Sequence, residues 1–240
     1  MNKQRMDTGK LKHILFTRKL TDNHYEFGKK IGLSLVDYPF IDIELSDLPK
    51  ETIENLKTNE NASWIFTSKN SVKSLLKSFP DISNYSNRKC FAVGEKTAEE
   101  LRKLNFEVVV PKHHNALSLV DRLEQEPSGI PYYYFSGNMR RKTITNFFNE
   151  NEIKYQEIEC YITHLIQPDL NIDQFDAVCF CSPSAVLSFF SKYQIREDIP
   201  CIAIGNTTAV KLLDYTENVA MSEKTNIYSM LEICNEYLNS

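Results

Sequence analysis

Three times in each half of the chain, an apolar run of strand length stops at a small polar turn and gives way to an amphipathic helix pattern. The sharpest match pairs Ala92-Val93-Gly94-Glu95-Lys96-Thr97-Ala98 with Ala203-Ile204-Gly205-Asn206-Thr207-Thr208-Ala209, 111 residues apart. Trp64-Ile65-Phe66-Thr67-Ser68-Lys69-Asn70-Ser71-Val72 has its echo in Val178-Cys179-Phe180-Cys181-Ser182-Pro183-Ser184-Ala185-Val186, with Phe66 and Phe180 114 apart. Phe16-Thr17-Arg18 matches Phe135-Ser136-Gly137 at a separation of 119. Strands that alternate with helices favour parallel sheets covered on both faces, because a parallel pair needs a crossover and the crossover helix packs on the sheet. The expected class is α/β, and the repeat predicts two similar parallel-sheet lobes of flavodoxin-like or Rossmann-like type.

Read in order, strands are expected at Lys12–Phe16, Leu33–Phe40, Ile41–Leu45, 64–67, Lys89–Val93, Phe106–Val110, Tyr132–Phe135, Lys154–Thr163, Val178–Cys181 and Cys201–Ile204. Helices are expected near 23–31, 48–56, 68–79, 95–104, 116–124, 140–149, 184–192, 206–213 and 226–238, with Gly32 as a C-cap after the first. Two extended stretches, Val36 to Leu45 and Glu157 to Ile166, separate the first and second units of each half. If they carry the chain across, the repeat is domain-swapped. One lobe is then 1–38 plus 167–240, the other is 43–160, and 39–42 with 161–166 form a two-stranded β linker. Two tandem domains divided near residue 128 fit the repeat equally well.

Composition narrows the partners. A net charge of -4 gives no basic footprint for nucleic acid. No apolar run reaches the roughly 20 residues that span a bilayer. Met1 to Lys10 is polar and lacks the apolar core of a secretory signal, so it reads as a frayed tail and the protein as cytoplasmic. Reduced thiols follow from that compartment. Cys179 and Cys181 stand two apart on a strand with no histidine near in sequence, so no metal is expected. Gly-x-Gly-x-x-Gly, P-loop and Gly-x-Ser-x-Gly patterns are absent. Nothing demands an oligomer, and a monomer is expected.

The turns themselves suggest a ligand. Helix N-termini have unpaired N–H groups and a partial positive charge. Ser68, Gly94, Ser136, Ser182 and Gly205 each open a helix pattern and so could hold carboxylates without a basic surface. The same serines, with Thr97 and Thr207, could equally serve only as helix caps. Arg18, Lys69, Lys96, Arg140, Arg141 and Lys142 are the nearby cations. His113-His114 reads as a solvated loop.

These motifs, in this order over about residues 12 to 235, resemble the uroporphyrinogen-III synthase family. The carrying residues are Phe16-Thr17-Arg18, Phe66 to Val72, Val93-Gly94 with Thr97-Ala98, Cys160-Tyr161, Ser182 to Val186 and Ile204 to Ala209. The resemblance implies two lobes joined by a β-ladder, a cleft site and no cofactor. It implies the cyclisation of hydroxymethylbilane to uroporphyrinogen III, with inversion of ring D and loss of water, and transient contact with the upstream deaminase. It makes Tyr161 the catalytic candidate. It assigns substrate contacts to Thr17, Arg18, Ser68, Lys69, Gly94, Thr97, Ser136, Gly137, Asn138, Arg140, Ser182, Pro183, Gly205, Thr207 and Thr208. Two departures stand out. Ser136 occupies a position where many members carry arginine, and Cys181 one where threonine is common. Tyr161 could instead be a core tyrosine with a structural hydroxyl. The competing functions are a non-catalytic two-lobe binder of an anionic ligand and a flavodoxin-like redox domain.

Overall fold

The computed structural model describes residues 11–239. The tail expected over Met1 to Lys10 lies outside them. The chain divides into two compact units. The first takes the described residues up to Asp42 together with those from His164 onward, and the second is Ile43–Thr163.

The first unit is built on a five-stranded sheet. Its strands are β1 (Lys12–Phe16), β2 (Leu33–Asp37), β9 (Ala177–Phe180), β10 (Cys201–Ala203) and β11 (Val219–Met221), in the order β11-β10-β9-β1-β2. All of the pairs are parallel. Helices α1 (Asp22–Lys30), α7 (Pro183–Phe190), α8 (Asn206–Leu212) and α9 (Ile227–Asn239) cover it. Alternate residues of each strand enter opposite cores. Leu15, Val178, Phe180 and Cys201 meet Val186, Phe189 and Leu212 on one side. Ile14, Phe16, Cys179 and Ile202 meet Met230, Leu231 and Cys234 on the other.

The second unit has six strands in the order β3-β8-β7-β4-β5-β6. These are β3 (Ile41–Leu45), β4 (Ser63–Phe66), β5 (Cys90–Ala92), β6 (Val108–Val109), β7 (Tyr132–Gly137) and β8 (Tyr155–Leu165). Its helices are α2 (Lys50–Thr58), α3 (Lys69–Ser78), α4 (Glu95–Arg102), α5 (Ala116–Leu123) and α6 (Thr143–Glu150). All four residues of β4 are buried, as suits a central parallel strand. Trp64 and Phe66 pack with Val72, Leu75 and Phe135, whereas Ile65 packs with Leu119 and Phe148. Each large apolar side chain buried this way contributes about 1.5–3 kcal/mol. The Phe66 and Phe135 rings stack at 4.5 Å and fix the β4–β7 register near the carboxyl edge.

β3 runs antiparallel to β8. The Ser46 N–H donates to the Cys160 carbonyl at 2.8 Å, and the Ile166 N–H donates to that of Phe40 at 2.9 Å. Helices α3 and α7 hold these segments in the same way. Ser74 Oγ donates to the Ser46 carbonyl at 2.9 Å, and Ser188 Oγ donates to that of Ile166 at 2.6 Å.

Several elements differ from expectation. The second strand ends at Asp37, because Tyr38-Pro39 cannot extend a ladder that needs the Pro39 N–H. Gly32 does follow α1 in the left-handed region, at φ +81. The helix expected from Arg140 begins only at Thr143. Asn138 delays it: its Oδ1 accepts from the Thr163 N–H at 2.8 Å and its Nδ2 donates to the Thr163 carbonyl, which holds residues 137–140 in a turn. A 3-10 turn, Pro80–Tyr85, follows α3. β11 was not expected at all. β8 runs to Leu165, two residues past the expected end at Thr163, and carries Tyr161 as expected.

Candidate active site

In doubly wound sheets, ligands bind beyond the carboxyl ends of the strands, where the connections diverge to opposite faces. In the second unit that edge carries Thr67-Ser68 after β4, Val93-Gly94 after β5, the end of β7 and the middle of β8.

Tyr161 reaches this edge through an irregularity. The β7–β8 register runs Phe135 to Ile158 and Ser136 to Glu159, then jumps to Gly137 opposite Tyr161. One extra residue sits in β8. Strict alternation would place Tyr161 on the face of Glu157 and Glu159. The bulge instead puts Cys160 and Tyr161 on one face, against the core of Phe66 and Phe135. There the phenol lies near Ser68. Burial raises its pKa above the ordinary phenol value, against an opposing pull from Ser68. Ser68 also accepts from the Asn70 N–H at 3.2 Å and so caps α3. The Tyr161 ring lies directly on Gly137, where an added β-carbon would meet Cε2 and Cζ at 2.4 Å.

The opposite face of the same edge holds a second polar group. Arg140 grips Glu157 in a two-pronged pair, Nε to Oε1 and Nη2 to Oε2, the latter at 2.6 Å. Ser136 Oγ donates to the same carboxylate at 2.7 Å. The Arg140 hydrogen bond, then Ser136, hold the Glu157 carboxyl below its ordinary range despite partial burial. Beside them Tyr134 is buried, and burial pushes its phenol up to about 12. Sequence reasoning missed Glu157 and Tyr134. Neither stands in a turn motif, and only the β7–β8 register brings Glu157 beside Ser136.

In the first unit the corresponding turns follow β1, β9 and β10. Thr17 is buried. Its N–H and its Oγ1 both donate to the Cys179 carbonyl at 3.0 Å, and Oγ1 accepts from the Cys181 N–H at 3.4 Å. It stitches β1 to β9 rather than presenting a donor. Ser182 Oγ accepts from the Ala185 N–H at 3.1 Å and lies 3.0 Å from Ser184 Oγ, with Pro183 in the first turn of α7. Gly94 and Gly205 have no side chain to cap with, so α4 and α8 start without the hydroxyl cap of α3 and α7. A β-carbon on Gly94 would meet nothing closer than His114 Cβ at 3.9 Å, whereas one on Gly205 would touch Thr225 Cγ2 at 3.0 Å.

Of the remaining expected contacts, Arg18, Lys69, Asn138 and Thr207 are at least partly exposed, and Thr97 and Thr208 are buried one turn into their helices. A cavity of about 610 Å³ lies elsewhere, at the amino end of the second sheet between Leu123, Ile130, Tyr132, Phe147 and Ile153. None of the groups described above lines it. No helix of the described residues is long and apolar enough to cross a membrane.

The chain is similar to known proteins over most of its length. The family model described as uroporphyrinogen-III synthase HemD matches residues 26–232. A porphyrin biosynthesis protein HemD from Ruminiclostridium josui is 22% identical over 223 residues, which cover 85% of this chain and 44% of that protein. The chain thus spans less than half the length of this curated relative. The crystal structure of a mutant uroporphyrinogen III synthase from Thermus thermophilus superposes with a TM-score of 0.70 at 17% identity, covering 95% of this chain and 99% of that one. A Helicobacter pylori uroporphyrinogen-III synthetase gives 0.64 at 18%, covering 94% and 99%. At such identity the structures speak for the fold alone. The family model, which matches most of the chain, carries the assignment: the chain belongs to the uroporphyrinogen-III synthase family.

Proposed function

We propose that the chain closes hydroxymethylbilane to uroporphyrinogen III, inverting ring D and releasing water. The observation that carries this reading is the seat of Tyr161 above the N-terminus of α3. Expulsion of the substrate hydroxyl needs a proton. A phenol with a raised pKa keeps its proton at neutral pH and can give it to the leaving oxygen, which departs as water. The electrons that fill the gap come from the pyrrole, giving a resonance-stabilised azafulvene. Ser68 and the positive end of α3 steady the phenolate until the proton released on ring closure restores it. The larger task is to hold the bilane curled so that its ends meet.

In this proposal the turns at Ser68, Gly94, Ser182 and Gly205 receive acetate and propionate arms. Thr97, Thr207, Thr208 and Pro183 shape those turns, and Arg18 and Lys69 add charge. Thr17, Ser136, Gly137, Asn138 and Arg140 act one layer back, holding the strands and Tyr161 in place. We also infer a domain-swapped repeat of two lobes, 1–38 with 167–240 and 43–160, linked by 39–42 and 161–166. The order β11-β10-β9-β1-β2 has the same arrangement of equivalent strands as β6-β5-β4-β7-β8, which supports it. The protein is proposed to work as a cytoplasmic monomer, without cofactor, in transient contact with the deaminase.

A coupled assay tests this. Porphobilinogen and its deaminase supply hydroxymethylbilane with and without the protein, and the oxidised products are separated by isomer. A shift from type I to type III supports the synthase. Type I alone from a folded sample overturns it in favour of a non-catalytic binder.

A further inference from the structure

We propose that Cys179 and Cys234 form a thiol-oxidation site, which hydrogen peroxide converts to a disulfide tying α9 to β9 in the first unit. Their sulfurs are 3.3 Å apart, and both side chains are fully buried. Cys179 lies on the face of β9 that packs on α9, and Cys234 lies on the inward stripe of α9 with Met230 and Leu231. The sulfurs need to close by only about 1 Å to reach disulfide bond length.

Neighbouring thiols do not compete. Cys201 is on the adjacent strand, but its side chain enters the opposite core with Leu15 and Val178. Cys181 lies just past the end of β9 and packs on the same core, and side chains two residues apart along extended backbone stand roughly 6–7 Å apart. Cys90 and Cys160 belong to the other unit.

Burial holds the Cys179 thiol well above its ordinary range. The thiolate is the reactive form, so the reaction proceeds through molecules in which α9, the last helix of the described residues, has lifted from the sheet. One thiolate attacks a peroxide oxygen, the O–O bond breaks, and the departing hydroxide takes up the thiol proton as water. The sulfenic acid left behind is attacked by the second sulfur. The S–S bond forms, the S–O bond breaks, and that hydroxyl leaves with the second thiol proton as water. Two thiols lose two electrons, and one hydrogen peroxide becomes two waters.

The bond would act on a strand that matters. The Cys179 carbonyl accepts both bonds from Thr17, and the Ser182 turn begins three residues later. Oxidation therefore fixes the strand that presents that turn.

The full chain is treated with hydrogen peroxide, alkylated with iodoacetamide in denaturant, and mapped by mass spectrometry without reduction. The expected result is a loss of two hydrogens, a Cys179–Cys234 linked peptide, and reversal by dithiothreitol. The oxidised protein should also melt several degrees higher, whereas Cys234→Ala should show no gain. Recovery of both cysteines alkylated, conversion to sulfinic acid, or linkage to Cys181 or Cys201 overturns the site. A linked chain that melts no higher overturns the tie. Mapping uses the unaltered chain, so the test stands even if Cys234→Ala does not fold, and its outcome is independent of the synthase assay.

Discussion

The ring of Tyr161 rests on Gly137 so closely that a β-carbon on the glycine would lie 2.4 Å from Cε2 and from Cζ. A tyrosine ring is stiff, so Gly137→Ala must displace the phenol or push β7 away from β8. Overpacking of this kind costs about 1–3 kcal/mol. Melting should fall by several degrees, and type III formation should drop roughly tenfold or more, because a small misplacement of a reacting group is expensive. Wild-type activity in this variant would contradict the seat.

Ser68 has two roles, and two substitutions separate them. Ser68→Ala removes the α3 cap and the hydroxyl near the Tyr161 phenol together. It should cost about 0.5–2 kcal/mol in denaturant unfolding. It should also slow turnover more than it weakens substrate binding. Ser68→Thr keeps a hydroxyl and should recover most of both losses. A turnover defect of equal size in Ser68→Thr would show that the hydroxyl is not what matters.

Glu157 predicts an acid limb. The Arg140 hydrogen bond, aided by Ser136, lowers its folded pKa below the unfolded value of about 4.3. The resulting stability is present above that unfolded value and is lost as pH falls through the folded one. Glu157→Gln should therefore flatten the pH dependence of unfolding below about pH 4. A slope identical to wild type there would remove Glu157 from the account.

Buried acids with raised pKa values predict the alkaline limb. Burial lifts Cys160 and Cys201 to about 12, and Tyr134 likewise to about 12. Their contribution is complete below the unfolded pKa, about 8.5 for thiols and about 10 for phenols, and is lost as pH rises toward the folded values. Unfolding free energy should start to decline near about pH 8.5 and steepen above about pH 10. A profile that stays flat to about pH 11 would contradict it.

Sequence pattern and tertiary structure agree where the cause is local. Apolar runs such as 64–66 and 177–180 are strands because parallel strands are buried on both faces, and Ser68 and Ser182 cap helices as their positions suggest. β11 escaped notice because it is an edge strand of only three residues, Val219-Ala220-Met221, too short to show a period. A signal for it did exist. Asn115 caps Ser118 at 2.9 Å and Asn226 caps Ser229 at 2.9 Å, again 111 residues apart, so the strand before each helix repeats too. The bulge in β8 was visible only as two consecutive core-facing residues, Cys160-Tyr161, which break alternation. The commitment of Arg140 to Glu157, 17 residues away, depends on strand register, and no local pattern reports it.

The most direct measurement compares Tyr161→Phe with the unaltered chain in the coupled isomer assay at matched concentration. The substitution removes one hydroxyl and leaves the ring on Gly137, so melting should shift little. The account predicts that type III formation slows by at least roughly tenfold while substrate binding is nearly unchanged. A Tyr161→Phe protein that forms type III at the unaltered rate would contradict the assignment of the bulge-positioned phenol as the proton donor.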